Sequence, residues 1–129
     1  MTTPPKAIQA LVLNACLWWE GQGKPVPLFT ITWRRSKGYR QSSGRAFTPA
    51  NGRYHLVVTA GTHRLDQKLV VLHELGHILT GPGHTPTFWD NAWALYRWAK
   101  LPMTYCKERE GPYKVEALRA YARSRGKRI

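Results

Sequence analysis

The sequence HELGH at residues 73–77 constrains this chain more than any other feature. Residues four apart on a helix lie one turn above each other on the same face, so the imidazoles of His73 and His77 can reach one metal ion. Apolar residues recur around them at three- and four-residue spacing, at Leu69, Leu72, Leu75, Ile78 and Leu79. This spacing predicts a helix that buries an apolar face and carries two histidine ligands.

Glu74 is one step round the helix from His73, where its carboxylate can flank an open coordination position. In zinc enzymes with this motif, such a glutamate takes a proton from a zinc-activated water. The alternative is an accidental HExxH on a surface helix. An apolar helix disfavours it, because two imidazoles and a carboxylate would then lose hydration without gaining partners. We therefore predict one zinc ion per chain, with Glu74 as the general base.

A catalytic zinc site usually takes three protein ligands and a water molecule. His84 follows the Gly-Pro-Gly sequence of residues 81–83, which allows the chain to turn back toward the helix. We predict His84 as the third ligand, and Asp90 is a candidate carboxylate for orienting a ligand histidine. Three downstream carboxylates remain alternatives as the third ligand: Glu108, Glu110 and Glu116.

The 129 residues suit one domain, residues 1–129, and the pattern along the chain predicts an α+β fold with an N-terminal helix, a small β-sheet, the HExxH helix and further C-terminal helices. Asp66 is the expected cap of the HExxH helix, and Thr85 with Pro86 the expected start of the next. Residues 34–45 are polar and are expected to form a hairpin loop or a sheet edge. The predicted elements are a helix over 6–19, strands over 28–33 and 54–60, and helices over 67–79, 86–100 and 113–123.

Other side chains near the motif have more ordinary interpretations. We expect Met103 to fill the core, and His55 to be structural or to face the substrate. An aromatic set with helical spacing is also expected in the core: Phe88, Trp89, Trp93, Tyr96 and Trp98. The group that stabilises the oxyanion is left open among Tyr96, Tyr105, Tyr113 and His63.

Composition predicts the cellular compartment of the protein. Cys16 and Cys106 form no CxxC pair, so cysteine-bound zinc is not expected and both are interpreted as thiols in a reducing compartment. No apolar run reaches membrane-spanning length and no secretion signal is recognisable, which predicts a cytoplasmic protein that does not associate with a membrane.

The charge balance is strongly basic, with twenty Lys and Arg against seven Asp and Glu, a net charge of +13. Such a charge favours polyanionic partners, so DNA is a candidate partner beside a protein or peptide substrate. The residues proposed to contact phosphates are Arg34, Arg35, Lys37, Arg40 and Arg45, together with the basic tail at 123–129. A basic nucleic-acid-binding module with a structural zinc is an alternative, although such a site normally has four protein ligands.

Two phrases together resemble a known family: VLHELGH at residues 71–77 and GHTPTFW at residues 83–89. They are similar to the small single-domain zincins of the SprT-like, WLM and YgjP-like group, whose third histidine opens the next helix within a phrase such as His-x-Pro-x-Phe-Trp. The resemblance covers roughly residues 44–98. It implies a minimal zincin fold and a metallopeptidase, with zinc on His73, His77 and His84 and with Glu74 as base. SprT-like and WLM members act on proteins attached to DNA.

The spacing departs from that family at one point, because six residues separate His77 from His84 where the short-turn members have five. The additional residue falls in the glycine-rich turn, where insertions are tolerated. The ImmA/IrrE peptidases offer a second resemblance through the HELGH helix. It implies a downstream glutamate, Glu116, as third ligand and a repressor-type protein as substrate.

Overall fold

The structure is a computed structural model, and it describes residues 3–36, 38–50, 52–110 and 115–126. The elements of the described residues are α1 (Lys6–Gly21), β1 (Phe29–Arg35), β2 (Ser43–Ala50), β3 (Arg53–Ala60), α2 (Arg64–Thr80), α3 (Pro86–Trp98), α4 (Met103–Glu110) and α5 (Val115–Gly126). Helices and a small mixed sheet confirm the predicted α+β class.

The three strands lie in the order β1-β3-β2, with β3 in the centre. β1 runs parallel to β3, and β2 runs antiparallel to it. Along β3, Leu56, Val58 and Ala60 are buried, whereas the residues between them are only half-buried. This alternation of period two turns one face of the sheet toward the helices and leaves the other face toward solvent.

α2 is the central helix of the core and packs against α1, α3, β2 and β3. Four of its apolar side chains, Leu69, Val71, Leu72 and Leu75, are almost completely buried. Because nearly its whole circumference is covered, the HExxH motif sits in the interior, and its polar groups need partners there.

On the C-terminal side the sequence predicted the last helix but missed the one before it. α5 confirms residues 115–123 of the helix expected over 113–123 and extends to Gly126. Residues 113 and 114 lie outside the described ranges, as do residues 127–129 of the basic tail. α4 was missed because its sequence, MTYCKERE, is mostly polar, yet Cys106 and Glu110 are buried.

Two smaller corrections concern the ends of elements. For residues 34–45 the hairpin alternative is wrong, because β1 and β2 do not pair with each other. The edge alternative is confirmed, because the segment supplies the end of β1 and the start of β2, and these are the two edge strands. Asp66 is not the cap of α2. His63 is the cap, and its side chain accepts a hydrogen bond from the Asp66 backbone N–H at 3.2 Å.

Within the described ranges, no helix combines the length and the apolar composition needed to cross a membrane.

Candidate metal centre

Three histidine side chains converge at one end of the cleft between α2, β2 and the start of α3. His73, His77 and His84 each offer a ring nitrogen, and these atoms lie within 4.8 Å of one another. The Nε2 atoms of His73 and His84 are 3.1 Å apart. Two imidazole nitrogens bound to one tetrahedral zinc lie about 3.3 Å apart, given Zn–N bonds of about 2.0–2.1 Å. The structure thus brings together the three residues that the sequence predicted as ligands.

The turn between α2 and α3 positions His84. Gly81 and Gly83 have φ values of 129° and 86°, in the region that favours glycine, and they reverse the chain. The side chain of Thr85 then accepts a hydrogen bond from the Phe88 N–H at 3.1 Å and caps α3, as its sequence predicted. This cap fixes the chain next to His84.

The second ring nitrogen of each α2 histidine has an acceptor that orients the ring. His73 Nδ1 lies 2.6 Å from Glu110 Oε2, and His77 Nδ1 lies 3.2 Å from the Gly81 carbonyl oxygen. Donation from Nδ1 leaves the lone pair on Nε2, which faces the cluster. Glu110 is itself 1% exposed, and it also accepts a hydrogen bond from the Tyr96 hydroxyl.

The electrostatics of the cleft favour a neutral imidazole over a cation at His77. Burial lowers the pKa of His77 to about 4, and the neighbouring His73 and His84 act in the same direction. The imidazole is therefore neutral near pH 7, which is the form that binds a metal ion.

Glu74 lies beside the cluster and is 7% exposed. Burial raises the pKa of its carboxyl, with an opposing effect of His73 and a further increase from the charge of Glu110. Its side chain lies against the backbone of β2, because a Cβ atom built on Gly44 would be 2.7 Å from Glu74 Cγ and 3.1 Å from Oε2. Gly44 thus provides the space that Glu74 occupies.

The cleft in front of the histidines has one wall from β2 and another from the Gly-Pro-Gly turn. Tyr54 of β3 also lines it, although no motif in the sequence points to this residue. The available signal was strand alternation, since Tyr54 shares its face of β3 with Leu56 and Val58. The lining residues are Gly44, Arg45, Ala46, Phe47, Tyr54, His73, Glu74, His77, Pro82, Gly83 and His84.

Aromatic side chains support the histidines from behind. Phe88 stacks on His77 with ring centroids 4.1 Å apart, and Trp89 stacks on His84 at 5.4 Å. The predicted core role of the aromatic set holds for Phe88, Trp89, Trp93 and Tyr96, which are fully buried, while Trp98 is half-buried and stacks on Trp18. Met103 also packs against the core.

Several candidates from the sequence lie away from the cleft. Tyr105 donates a hydrogen bond from its hydroxyl to Asp66, and its ring stacks on that of His63. Neither residue is among those that line the cleft. The Tyr96 hydroxyl is fully buried against Glu110, and Tyr113 lies outside the described residues. Asp90 pairs with Arg123 at 2.9 Å, so the carboxylate that orients a histidine is Glu110 instead.

The alternative third ligands are not part of the cluster. Glu116 pairs with Arg119 at 3.5 Å, Glu108 is exposed, and Glu110 lies at Nδ1 of His73 rather than among the Nε2 atoms. Of the residues proposed to contact nucleic acid, Arg45 lines the cleft and Lys37 lies outside the described residues. The others are exposed: Arg34, Arg35 and Arg40.

The three histidines could hold one metal ion, and among the described residues no fourth histidine, cysteine or carboxylate joins the group. On a tetrahedral ion, three imidazole nitrogens would leave one position open. Comparisons with protein families, with curated proteins and with solved structures found no match to this chain.

Proposed function

We propose that this protein is a zinc-dependent peptidase whose metal is held by His73, His77 and His84. The observation that carries the proposal is the convergence of three imidazole nitrogens beside the buried carboxylate of Glu74. Three protein ligands with an open position favour this function over a structural zinc in a nucleic-acid-binding module.

The proposed reaction is hydrolysis of a peptide bond. A zinc ion at this site would activate a water molecule and polarise the substrate carbonyl. Glu74 takes a proton from the attacking water as the water oxygen bonds to the carbonyl carbon. Glu74 then passes that proton to the amide nitrogen as the C–N bond breaks. The raised pKa of Glu74 suits this role, because a base works best when its pKa approaches the operating pH.

We propose that the substrate backbone lies along β2. This strand pairs with β3 on one side only, and its residues Gly44, Arg45 and Ala46 line the cleft. An extended peptide can add to such an edge through backbone hydrogen bonds, which requires no particular substrate sequence. The side chain of Tyr54, from the neighbouring strand, carries the phenol that we assign to the developing oxyanion.

We further propose that the chain is a minimal zincin of the SprT-like, WLM and YgjP-like group. The position of His84 at the start of α3, ahead of the Thr85 cap, supports this assignment. In the ImmA/IrrE alternative Glu116 would be a ligand, and its exposed pairing with Arg119 disfavours that role.

The test is cleavage of unstructured proteins such as casein, and of a peptide library, by protein loaded with zinc. We expect the wild type to cleave and Glu74→Gln to lose at least about 100-fold in rate while retaining zinc. Glu108→Gln, at an exposed position of α4, is the matched control and should keep full activity. Equal cleavage by wild type and Glu74→Gln would exclude Glu74 as the base.

A further inference from the structure

Helix α1 carries a stripe of exposed and half-buried side chains on the side that faces away from the core. Leu13 stands at its centre and is 59% exposed, and Leu17, one turn further along, is 55% exposed. A contiguous apolar patch of this kind marks an interaction surface. The stripe is defined by six residues at three-, four- and seven-residue spacing: Lys6, Ala10, Leu13, Cys16, Leu17 and Glu20.

The apolar surface continues from the stripe into a groove beside α1. The groove has a volume of about 710 Å³, and its other wall is the segment that leads into β1. Leu28 belongs to that wall and is 68% exposed. Because β1 is one edge of the sheet and β2 the other, the stripe and groove lie on the side away from the metal-binding cleft. The apolar lining residues are Val12, Leu13, Val26, Phe29 and Ile31.

The stripe is nearly uncharged, unlike the rest of this basic protein. Residues 7–23 contain no Lys or Arg, although the chain has twenty, and Glu20 is the one acidic residue among them. Two copies of a chain with net charge +13 repel each other least where such a neutral surface lies between them. The distribution of charge therefore favours contact through α1 over contact through any basic surface.

The two charges of the stripe are complementary when α1 meets a second copy of itself. Lys6 and Glu20 lie seven residues before and seven residues after Leu13, and both are exposed. About 21 Å of helix separates them, so they cannot pair within one chain. Among the described residues neither one forms an ion pair. In an antiparallel pair of helices with a two-fold axis at Leu13, Lys6 of each copy faces Glu20 of the other.

The same charges are unfavourable within their own helix. The N-terminus of a helix carries a partial positive charge and the C-terminus a partial negative charge, so a cation in the first turn and an anion in the last destabilise it. α1 has no acidic residue in its first turn and no basic residue in its last. In an antiparallel pair, Lys6 lies at the C-terminal end of the other helix and Glu20 at its N-terminal end, where both charges are favourable.

We propose that the protein forms a symmetric dimer in which α1 packs antiparallel against α1 of a second copy. Leu13, Leu17 and the adjoining groove supply the apolar contact, and two pairs between Lys6 and Glu20 set the direction. Such an interface uses the same surface on both copies and closes at two. The cleft stays open in each copy, and the inference does not depend on the peptidase proposal.

Sedimentation equilibrium of the full chain tests for the dimer, in about 0.3 M salt to screen the repulsion between the basic surfaces. An interface built on one sixteen-residue helix from each copy is small, so we expect a dissociation constant of about 1–100 µM. The average mass should rise with concentration from 14.8 kDa toward twice that value. Treatment with nuclease or with a chelator should leave this rise unchanged.

Two leucine variants locate the interface. Leu13→Glu should weaken the dimer by at least about 30-fold, because two carboxylates then meet at the two-fold axis in place of an apolar contact. Leu118→Glu is the matched control, since Leu118 is also an exposed leucine on a helix, at 43% exposure on α5. It should dimerise as the wild type does.

Charge reversal tests the direction of the helices. Lys6→Glu and Glu20→Lys should each weaken the dimer by about tenfold, because like charges then face each other at both ends of the interface. The double variant with both changes keeps the net charge and should recover wild-type affinity. A mixture of the two single variants should form heterodimers in preference to either homodimer. Lys100→Glu and Glu108→Lys make the same charge changes at exposed positions elsewhere and should have little effect.

Several outcomes would overturn the inference. A chain that stays monomeric at about 200 µM forms no such dimer. A dimer that survives Leu13→Glu, or that Leu118→Glu weakens equally, uses another surface. A dimer lost with chelator is bridged by metal, and one lost with nuclease is bridged by nucleic acid. A double charge variant that stays as weak as the single ones would exclude the antiparallel arrangement. His84→Ala should dimerise normally, so a failure of the metal centre is distinguishable from a failure of the dimer.

Discussion

His73 donates a hydrogen bond from Nδ1 to Oε2 of Glu110, at 2.6 Å, although 37 residues separate the two in sequence. Glu110 is buried and also accepts from the Tyr96 hydroxyl. The helix that carries Glu110 therefore determines how the first histidine of the HExxH motif presents its Nε2 atom. Carboxylates that orient ligand histidines in this way commonly raise metal affinity.

Glu110→Gln should weaken zinc binding by about 10- to 100-fold, because His73 loses the carboxylate that fixes its ring and its tautomer. Competition with a chromophoric chelator measures the affinity. Glu108→Gln, on the same helix but exposed, should bind zinc as the wild type does. If Glu110→Gln folds normally and keeps wild-type affinity, Glu110 has no orienting role.

Gly44→Ala should slow peptide cleavage by roughly 100-fold while zinc binding stays within about twofold of the wild type. A Cβ atom there would be 2.7 Å from Glu74 Cγ, so the carboxylate must move, whereas the histidines need not. Gly21→Ala is the control, since its Cβ would have no neighbour within 4 Å. Unchanged cleavage by Gly44→Ala would show that the observed position of Glu74 is unimportant.

Tyr54→Phe should lower kcat by about 100-fold with little change in KM, if its phenol stabilises the oxyanion. The steady-state kinetics of a cleaved peptide give both parameters. Tyr105→Phe also removes one hydroxyl, but from a ring that bonds Asp66 outside the cleft, so it should change stability rather than kcat. A kcat for Tyr54→Phe equal to that of the wild type would require another group at the oxyanion.

Asp66 should make the stability of the protein sensitive to acid. Burial alone would raise the pKa of its carboxyl, but hydrogen bonds from Arg109, the Ser42 N–H and Tyr105 outweigh it and lower the pKa. A lowered pKa in the folded state stabilises the protein above the unfolded pKa, near 3.9, and this contribution is lost as the pH falls through the folded value.

Urea unfolding between about pH 2 and pH 7 tests this contribution. Asp66→Asn should cost about 3 kcal/mol near neutral pH, because Arg109 loses its buried partner, and the decline of stability in acid should flatten. Asp90→Asn is the control: its pair with Arg123 is partly exposed and should contribute no more than about 1 kcal/mol. If the stability of Asp66→Asn declines in acid as steeply as that of the wild type, other carboxyls cause the decline.

The sequence was most informative where a local pattern determines the geometry. Four-residue spacing on a helix places His73 and His77 together, and the Thr85-Pro86 pair marks the start of α3. The α+β class followed from the order of the elements in the same way.

The parts that escaped prediction depend on contacts between distant segments. The polar sequence of α4 gave no reason to bury Glu110, and Asp90 was the nearer carboxylate in sequence. Gly44 leaves space for the Glu74 side chain only because β2 packs against that side chain, a contact that no local pattern encodes. The partners of a buried histidine are set by tertiary packing, so a single sequence identified the three histidines that converge and missed the carboxylate that orients one of them.

The measurement that tests the central claim most directly is the number of zinc ions per chain, by native mass spectrometry, in the wild type and in His84→Ala. We predict one zinc ion in the wild type and markedly weaker binding in the variant, since two imidazoles then remain of the three. Zinc retained equally tightly by His84→Ala, or a wild type that binds none when zinc is supplied, would contradict the three-histidine centre.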